Sequence, residues 1–172
     1  MIQIRRSAIV RHSPSQMFDL VNDVEAYPRR FAWCAGAQAR ARGANSLTAR
    51  LDLRLGGLTQ SFTTRNALEP PQRILMQLVE GPFRALHGEW TFMALGTNKP
   101  PSSGLADHLL PQAGDAEFER PVLAASPIGC KIAFALDFDY SGLMSPVLRT
   151  GFQKLADRMV DEFCREADRV YA

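Results

Sequence analysis

Apolar and polar residues alternate with a period of two from the start of the chain. Ile2, Ile4, Ala8 and Val10 fall on one side, and Gln3, Arg5, Ser7 and Arg11 on the other. That period predicts a half-buried strand over 2–11. It breaks at Ser13, which can cap a helix whose first turn takes Pro14 and whose capping box closes on Gln16. Met17, Phe18, Leu20 and Val21 form the buried stripe of that short helix. Asp23 is expected to cap a second short helix, which Tyr27-Pro28 ends.

The clearest alternation places Leu47, Ala49, Leu51, Leu53 and Leu55 opposite Thr48, Arg50, Asp52 and Arg54, which fixes the register of a strand firmly. Gly56-Gly57 predicts a hairpin turn into a strand with Gln60, Phe62 and Thr64 inward. After Pro70-Pro71, the residues Ile74, Met76 and Leu78 share a face. Gly81-Pro82 then turns the chain into a long strand through Leu95, on which Leu86, Trp90 and Phe92 share one parity while Phe83 has the other and is expected at a mouth or bulge. Gly81, Pro82 and Gly88 read as shapers of turns and strands.

Residues 96–128 hold five of the eleven prolines and no sustained period, so they read as a long insertion in a hairpin. The strand resumes with Ile132, Phe134, Leu136, Phe138 and Tyr140 inward and Lys131, Asp137 and Asp139 outward. A long helix from Ser145 or Pro146 to the C-terminus carries Leu148, Phe152, Leu155, Met159, Phe163 and Val170 at helical spacing, with pairs such as Asp161 to Arg165 on its polar side. Consecutive hairpins closed by one helix give an α+β fold: a curved antiparallel sheet wrapped around a C-terminal helix, as a single domain over 1–172.

A helix about 10 Å across does not fill a broad concave sheet. The inward side chains are large and soft. Leu53, Phe62, Met76, Leu78, Leu86, Trp90 and Phe92 come from the sheet's first strands, Phe134 and Phe138 from its last, and Phe152, Leu155 and Met159 from the helix. These twelve are the candidate ligand-binding residues. The pattern leaves open whether they close up as a core or enclose a cavity of about 300 Å³ or more.

Composition narrows the classes. Of 172 residues 46% are hydrophobic and 22% charged, which argues against wholesale disorder. Apolar runs fall far short of the roughly 20 residues of a membrane helix, and the alternating N-terminus lacks a signal-peptide core, so a cytosolic protein is expected. Cys34, Cys130 and Cys164 are widely spaced in apolar contexts and read as reduced buried thiols, with no metal and no cofactor expected. The formal charge of +2 does not imply nucleic acid. Lysine occurs only at 99, 131 and 154, so positive charge is mostly guanidinium, and Arg5, Arg11, Arg50, Arg54, Arg65 and Arg73 are expected to share the wet face as a possible phosphate grip.

Catalytic patterns are sparse. His12 precedes a helix cap, His87 points to the wet face and His108 lies in the insertion, and they form no nucleophile–base constellation. Glu89 and Asp137 fall on outward positions and read as solvated strand charges.

The segments VNDVEAYPRRF, SFTTRN and LVEGPFRALHGEWTF, with the amphipathic C-terminal helix, resemble the START-like, helix-grip proteins of the coenzyme Q-binding branch. The likeness covers 1–95 and 129–172 and is strongest to the bacterial RatA group of ribosome-association toxins. It implies a helix-grip fold with two short helices after the first strand, and a hydrophobic tunnel for ubiquinone or a similar isoprenoid, carried without catalysis in support of respiration. It also implies, as the alternative, contact with the large ribosomal subunit that blocks subunit association, and more remotely a cyclase. A carrier must collect its lipid, so Gly142, Leu143 and Met144, or Leu109 and Leu110, are expected at a transient membrane contact peripheral to the inner membrane. DNA is not expected.

Overall fold

The computed structural model describes residues 1–97 and 127–172, and the expectations for His108, Leu109 and Leu110 lie outside them. In chain order the elements are β1 (Ile2–Val10), α1 (Pro14–Asn22), a 3-10 turn (Val24–Ala26), α2 (Tyr27–Arg30), β2 (Cys34–Gly43), β3 (Ser46–Leu55), β4 (Leu58–Glu69), β5 (Arg73–Glu80), β6 (Phe83–Thr97), β7 (Pro127–Tyr140) and α3 (Pro146–Val170). The seven strands form one antiparallel sheet in the order β1-β7-β6-β5-β4-β3-β2. This is the expected curved sheet around a C-terminal helix.

Local chemistry sets the boundaries. The Ser13 hydroxyl accepts the Gln16 N–H at 3.1 Å while the Gln16 side chain accepts the Ser13 N–H at 2.9 Å, closing the capping box of α1. Gly56 and Gly57 take φ of 58° and 82°, as the β3–β4 turn requires. Ser145 caps α3 by accepting the Leu148 N–H. Arg149 fastens the β7–α3 connection by donating to the carbonyls of Met144 at 2.9 Å and Ser141 at 3.2 Å.

Several expectations are corrected. Asp23 sits at the N-cap of the 3-10 turn but makes no side-chain cap, and Tyr27, which ends that turn as expected, continues with Pro28 into α2, because proline suits a first helical turn. Strand β2 has no counterpart in the period analysis. Strand β6 runs to Thr97 and β7 begins at Pro127, and the insertion expected between them lies outside the described residues. Among the described residues Asp161 and Arg165 form no ion pair; α3 instead ties to the sheet and to α2 through Arg6–Asp157 at 2.6 Å and Arg30–Glu166 at 3.2 Å. A β-bulge between Phe83 and Ala85 turns Phe83 inward, so Phe83 and Leu86 are both buried.

Candidate functional site

Cross-strand register brings the inward residues to one concave surface: Ala49 faces Thr64, Leu51 faces Phe62, Ile74 faces Trp90, and Trp90 faces Phe134. Between that surface and α3 lies a cavity of about 80 Å³. Of the two outcomes the sequence left open it lies nearer the closed-up core, and aromatic packing is the reason. The Trp90 ring sits 4.4 Å from Phe134 and 5.2 Å from Phe163, and Phe152 fills the far end against Phe83 at 4.9 Å and Phe138 at 5.0 Å.

Leu53, Phe62, Met76, Leu86, Trp90, Phe134, Phe152, Leu155 and Met159 line this cavity. Leu78, Phe92 and Phe138 do not. Leu78 is half-buried near the Gly81 turn, Phe92 packs beneath Phe18 of α1 at 5.9 Å, and Phe138 is fully buried among Phe83, Tyr140 and Phe152. A wall absent from the candidate set comes from the end of α1 (Val21, Asn22), the 3-10 turn (Val24), α2 (Tyr27) and the turn residue Trp33. These pieces are too short to carry a repeat that reveals which side faces the cavity.

The polar groups of the cavity are hydrogen-bonding groups. Thr64 donates its hydroxyl to Asn66 Oδ1 at 2.9 Å. Asn22 Oδ1 and Trp33 Nε1 are buried and have no protein partner, a state that native interiors seldom leave uncompensated. The Tyr27 hydroxyl donates to the Val21 carbonyl, and burial, with Cys34 and Asp23 nearby, pushes its pKa well above the usual phenol range. No carboxylate, imidazole, thiol or cation lines the cavity among the described residues. The lining is apolar with a few uncharged hydrogen-bonding groups, and among the described residues it offers no acid–base pair. Cys34, Cys130 and Cys164 are free, and burial pushes each thiol up to about 11.

Half of the expected arginine row on the wet face is neutralised, and Arg54 forms no ion pair among the described residues. Arg5 pairs with Asp137 at 2.7 Å, Arg50 with Asp52 at 3.1 Å, and Arg73 with Glu69 at 2.7 Å and Glu89 at 3.5 Å. Hydrogen bonds from Ser61 and Arg50 hold the Asp52 carboxyl below its ordinary range. Arg11 and Arg65 remain exposed without such partners among the described residues. His87 is exposed, and His12 Nε2 lies 2.7 Å from Asp168.

On the far side of Trp33 and Leu155 from the cavity, a surface cleft of about 520 Å³ opens between β3 and the first half of α3. No described helix is long and apolar enough to cross a membrane.

The family model described as "Polyketide cyclase / dehydrase and lipid transport" matches residues 10–164. A ribosome association toxin, RatA, of Pseudomonas aeruginosa is 36% identical over 98% of this chain and 96% of its own length. The mitochondrial coenzyme Q-binding protein COQ10 of Drosophila melanogaster is 22% identical over 95% of this chain, which spans 57% of that protein. The Zhui aromatase/cyclase from a Streptomyces species superimposes with a TM-score of 0.68 at 14% identity, covering 99% of this chain and 96% of that one. That likeness shows the fold alone.

Proposed function

This chain belongs to the polyketide cyclase / dehydrase and lipid transport family, and from that membership we propose that it binds a hydrophobic amphiphile of the isoprenoid quinone class without transforming it. The observation that carries this reading is an apolar cavity whose lining side chains are uncharged and include Asn22 and Trp33, each with a buried polar atom that lacks a protein partner. In this reading a guest that displaces the lining side chains reaches Trp33 Nε1, from which a quinone carbonyl can accept, and Asn22 Oδ1, to which the O–H of the reduced form can donate. A prenyl tail needs apolar contact area and little polar chemistry. The cavity is smaller than such a ligand, so binding requires α3 to ease away from the sheet. Met76 and Met159, unbranched and half-buried, are the side chains best able to follow.

Trp33 and Trp90 both line the cavity, so a quinone inside it quenches the whole tryptophan emission of the chain. Titration with decylubiquinone is expected to give saturable quenching, weakened at least about tenfold in Met159→Trp, the effect of roughly 1.4 kcal/mol. Protein purified from its native host is expected to release a prenylated quinone into organic solvent. Linear, non-saturating quenching together with an empty extract overturns the reading.

A second reading follows the relatives named as ribosome association toxins, matched over nearly the whole chain. In it the protein contacts the large ribosomal subunit through its surface and blocks subunit association, leaving the cavity to a ligand. Sedimentation of ribosomes with added protein tests it, and an unchanged subunit profile at low salt removes it. A cyclase reading lacks support, since no proton-transfer pair lines the cavity among the described residues.

A further inference from the structure

The surface cleft carries features that ligand enclosure does not use. Its cations are Arg54 of β3 and Lys154 and Arg158 of α3, all exposed. None of the three forms an ion pair among the described residues, and Arg54 donates only to the Ala32 carbonyl, at 3.1 Å. Val147, which lines the same cleft, is 52% exposed; Leu58, just past the β3–β4 turn, is 47% exposed, and Leu143, which lines a second cleft with Gln60, Glu80 and Gly81, is 91% exposed. These belong to one end of the molecule. A Cβ on Gly56 would lie 3.1 Å from Val147 Cγ1, so the hairpin tip before Leu58 touches the start of α3. Leu143 is held out firmly, because Met144 next to it is buried and Arg149 clamps the carbonyls on both sides. The expectation that Met144 faces outward is thereby corrected, and Leu143 is the residue presented.

We propose that this end docks on an anionic lipid bilayer and that cargo passes between bilayer and cavity through the cleft, past Trp33 and Leu155. The docking stands on the surface itself; the passage rests on the lipid-binding reading above. Unpaired cations next to exposed leucine and valine match an interface of acidic headgroups over acyl chains. Ribosomal RNA would engage the cations but offers nothing apolar to Leu143 and Val147. The wall between cleft and cavity is two side chains, Trp33 and Leu155, which line both. Movement of either joins the interior to the docked surface.

Flotation of the full chain with vesicles tests the proposal, using phosphatidylcholine alone and phosphatidylcholine mixed with phosphatidylglycerol. Binding is expected only with the mixed vesicles. Lys154→Gln with Arg158→Gln is expected to weaken it about thirtyfold, and Leu143→Ser with Val147→Ser by about tenfold or more. These side chains are exposed, so an unchanged thermal midpoint checks that each variant folds. Leu143→Ser, at a residue that lines neither the cavity nor the cleft of Arg54, is expected to keep wild-type quenching by decylubiquinone. Wild-type protein that is quenched but does not float overturns the docking and leaves the lipid reading intact. Flotation without quenching supports the docking and overturns that reading. Variants that float like wild type, or that lose only co-sedimentation with ribosomal subunits, overturn the assignment of this surface to a bilayer.

Discussion

Gly88 and Gly129 both lie where neighbouring atoms crowd the space a Cβ would take, yet the neighbours differ in kind. At Gly129 a Cβ would meet the Val10 carbonyl oxygen at 2.4 Å, a backbone atom of the paired β1 strand. At Gly88 it would meet Met76 Cε at 2.5 Å, the free end of a flexible side chain beside the cavity. Gly129→Ala is therefore expected to lose about 2 kcal/mol or more, whereas Gly88→Ala stays within about 1 kcal/mol of wild type because the thioether swings into open space. Paired urea unfolding curves check the contrast, and equal midpoints contradict it. The same residues mark what strand alternation conveys. Parity correctly turned Met76, Trp90 and Phe134 inward, but it says nothing of depth along a strand. Phe92 and Phe138 thus share the right face and still pack away from the cavity. Phe83 defeats parity outright, since a bulge shifts the count by one.

At the scale of elements, α3 is held at its C-terminal half by a carboxylate that the apolar stripe does not reveal. The Glu166 side chain is 8% exposed, accepts from Arg30 of α2 at 3.2 Å and is also bound by Arg169. The Arg169 hydrogen bond, with Arg30 adding and burial opposing, keeps its carboxyl below the ordinary range. A group with a lowered folded pKa contributes fully above its unfolded value, here about 4.5, and loses that contribution as pH falls through the folded value. Stability is expected to fall on acidification below about pH 4.5. Glu166→Gln should lower stability at neutral pH by about 1–3 kcal/mol and flatten that acid limb. Thermal midpoints of both proteins across the acid range decide it, and an unchanged limb in the variant sinks the assignment. The stripe of α3 and the capping box of α1 were legible because each follows a fixed spacing. Strand β2 was not. Its small Ala and Gly residues mark no face, and irregularities at Cys34/Gly36 and Ala39/Ala41 interrupt its period of two.

For the molecule as a whole, one helix covering a curved antiparallel sheet was readable from the chain, with six of the seven strands, but the volume left between them was not, because it depends on how the rings of Trp90, Phe134 and Phe163 settle against one another. On the proposed lipid-binding reading, a cavity of about 80 Å³ requires the covering helix and the sheet to separate and close again around a larger guest. Amide hydrogen exchange along α3 is therefore expected to slow when decylubiquinone is added, and exchange that ignores the ligand would place the guest elsewhere. The raised thiol pKa values have a practical consequence of their own. With Cys34, Cys130 and Cys164 held as protonated, sluggish nucleophiles near neutrality, a cysteine put in place of the protruding Leu143 becomes a selective handle for maleimide dyes. The native sequence thus already supplies a quiet background on which a single polarity-sensitive label can report when that tip leaves water.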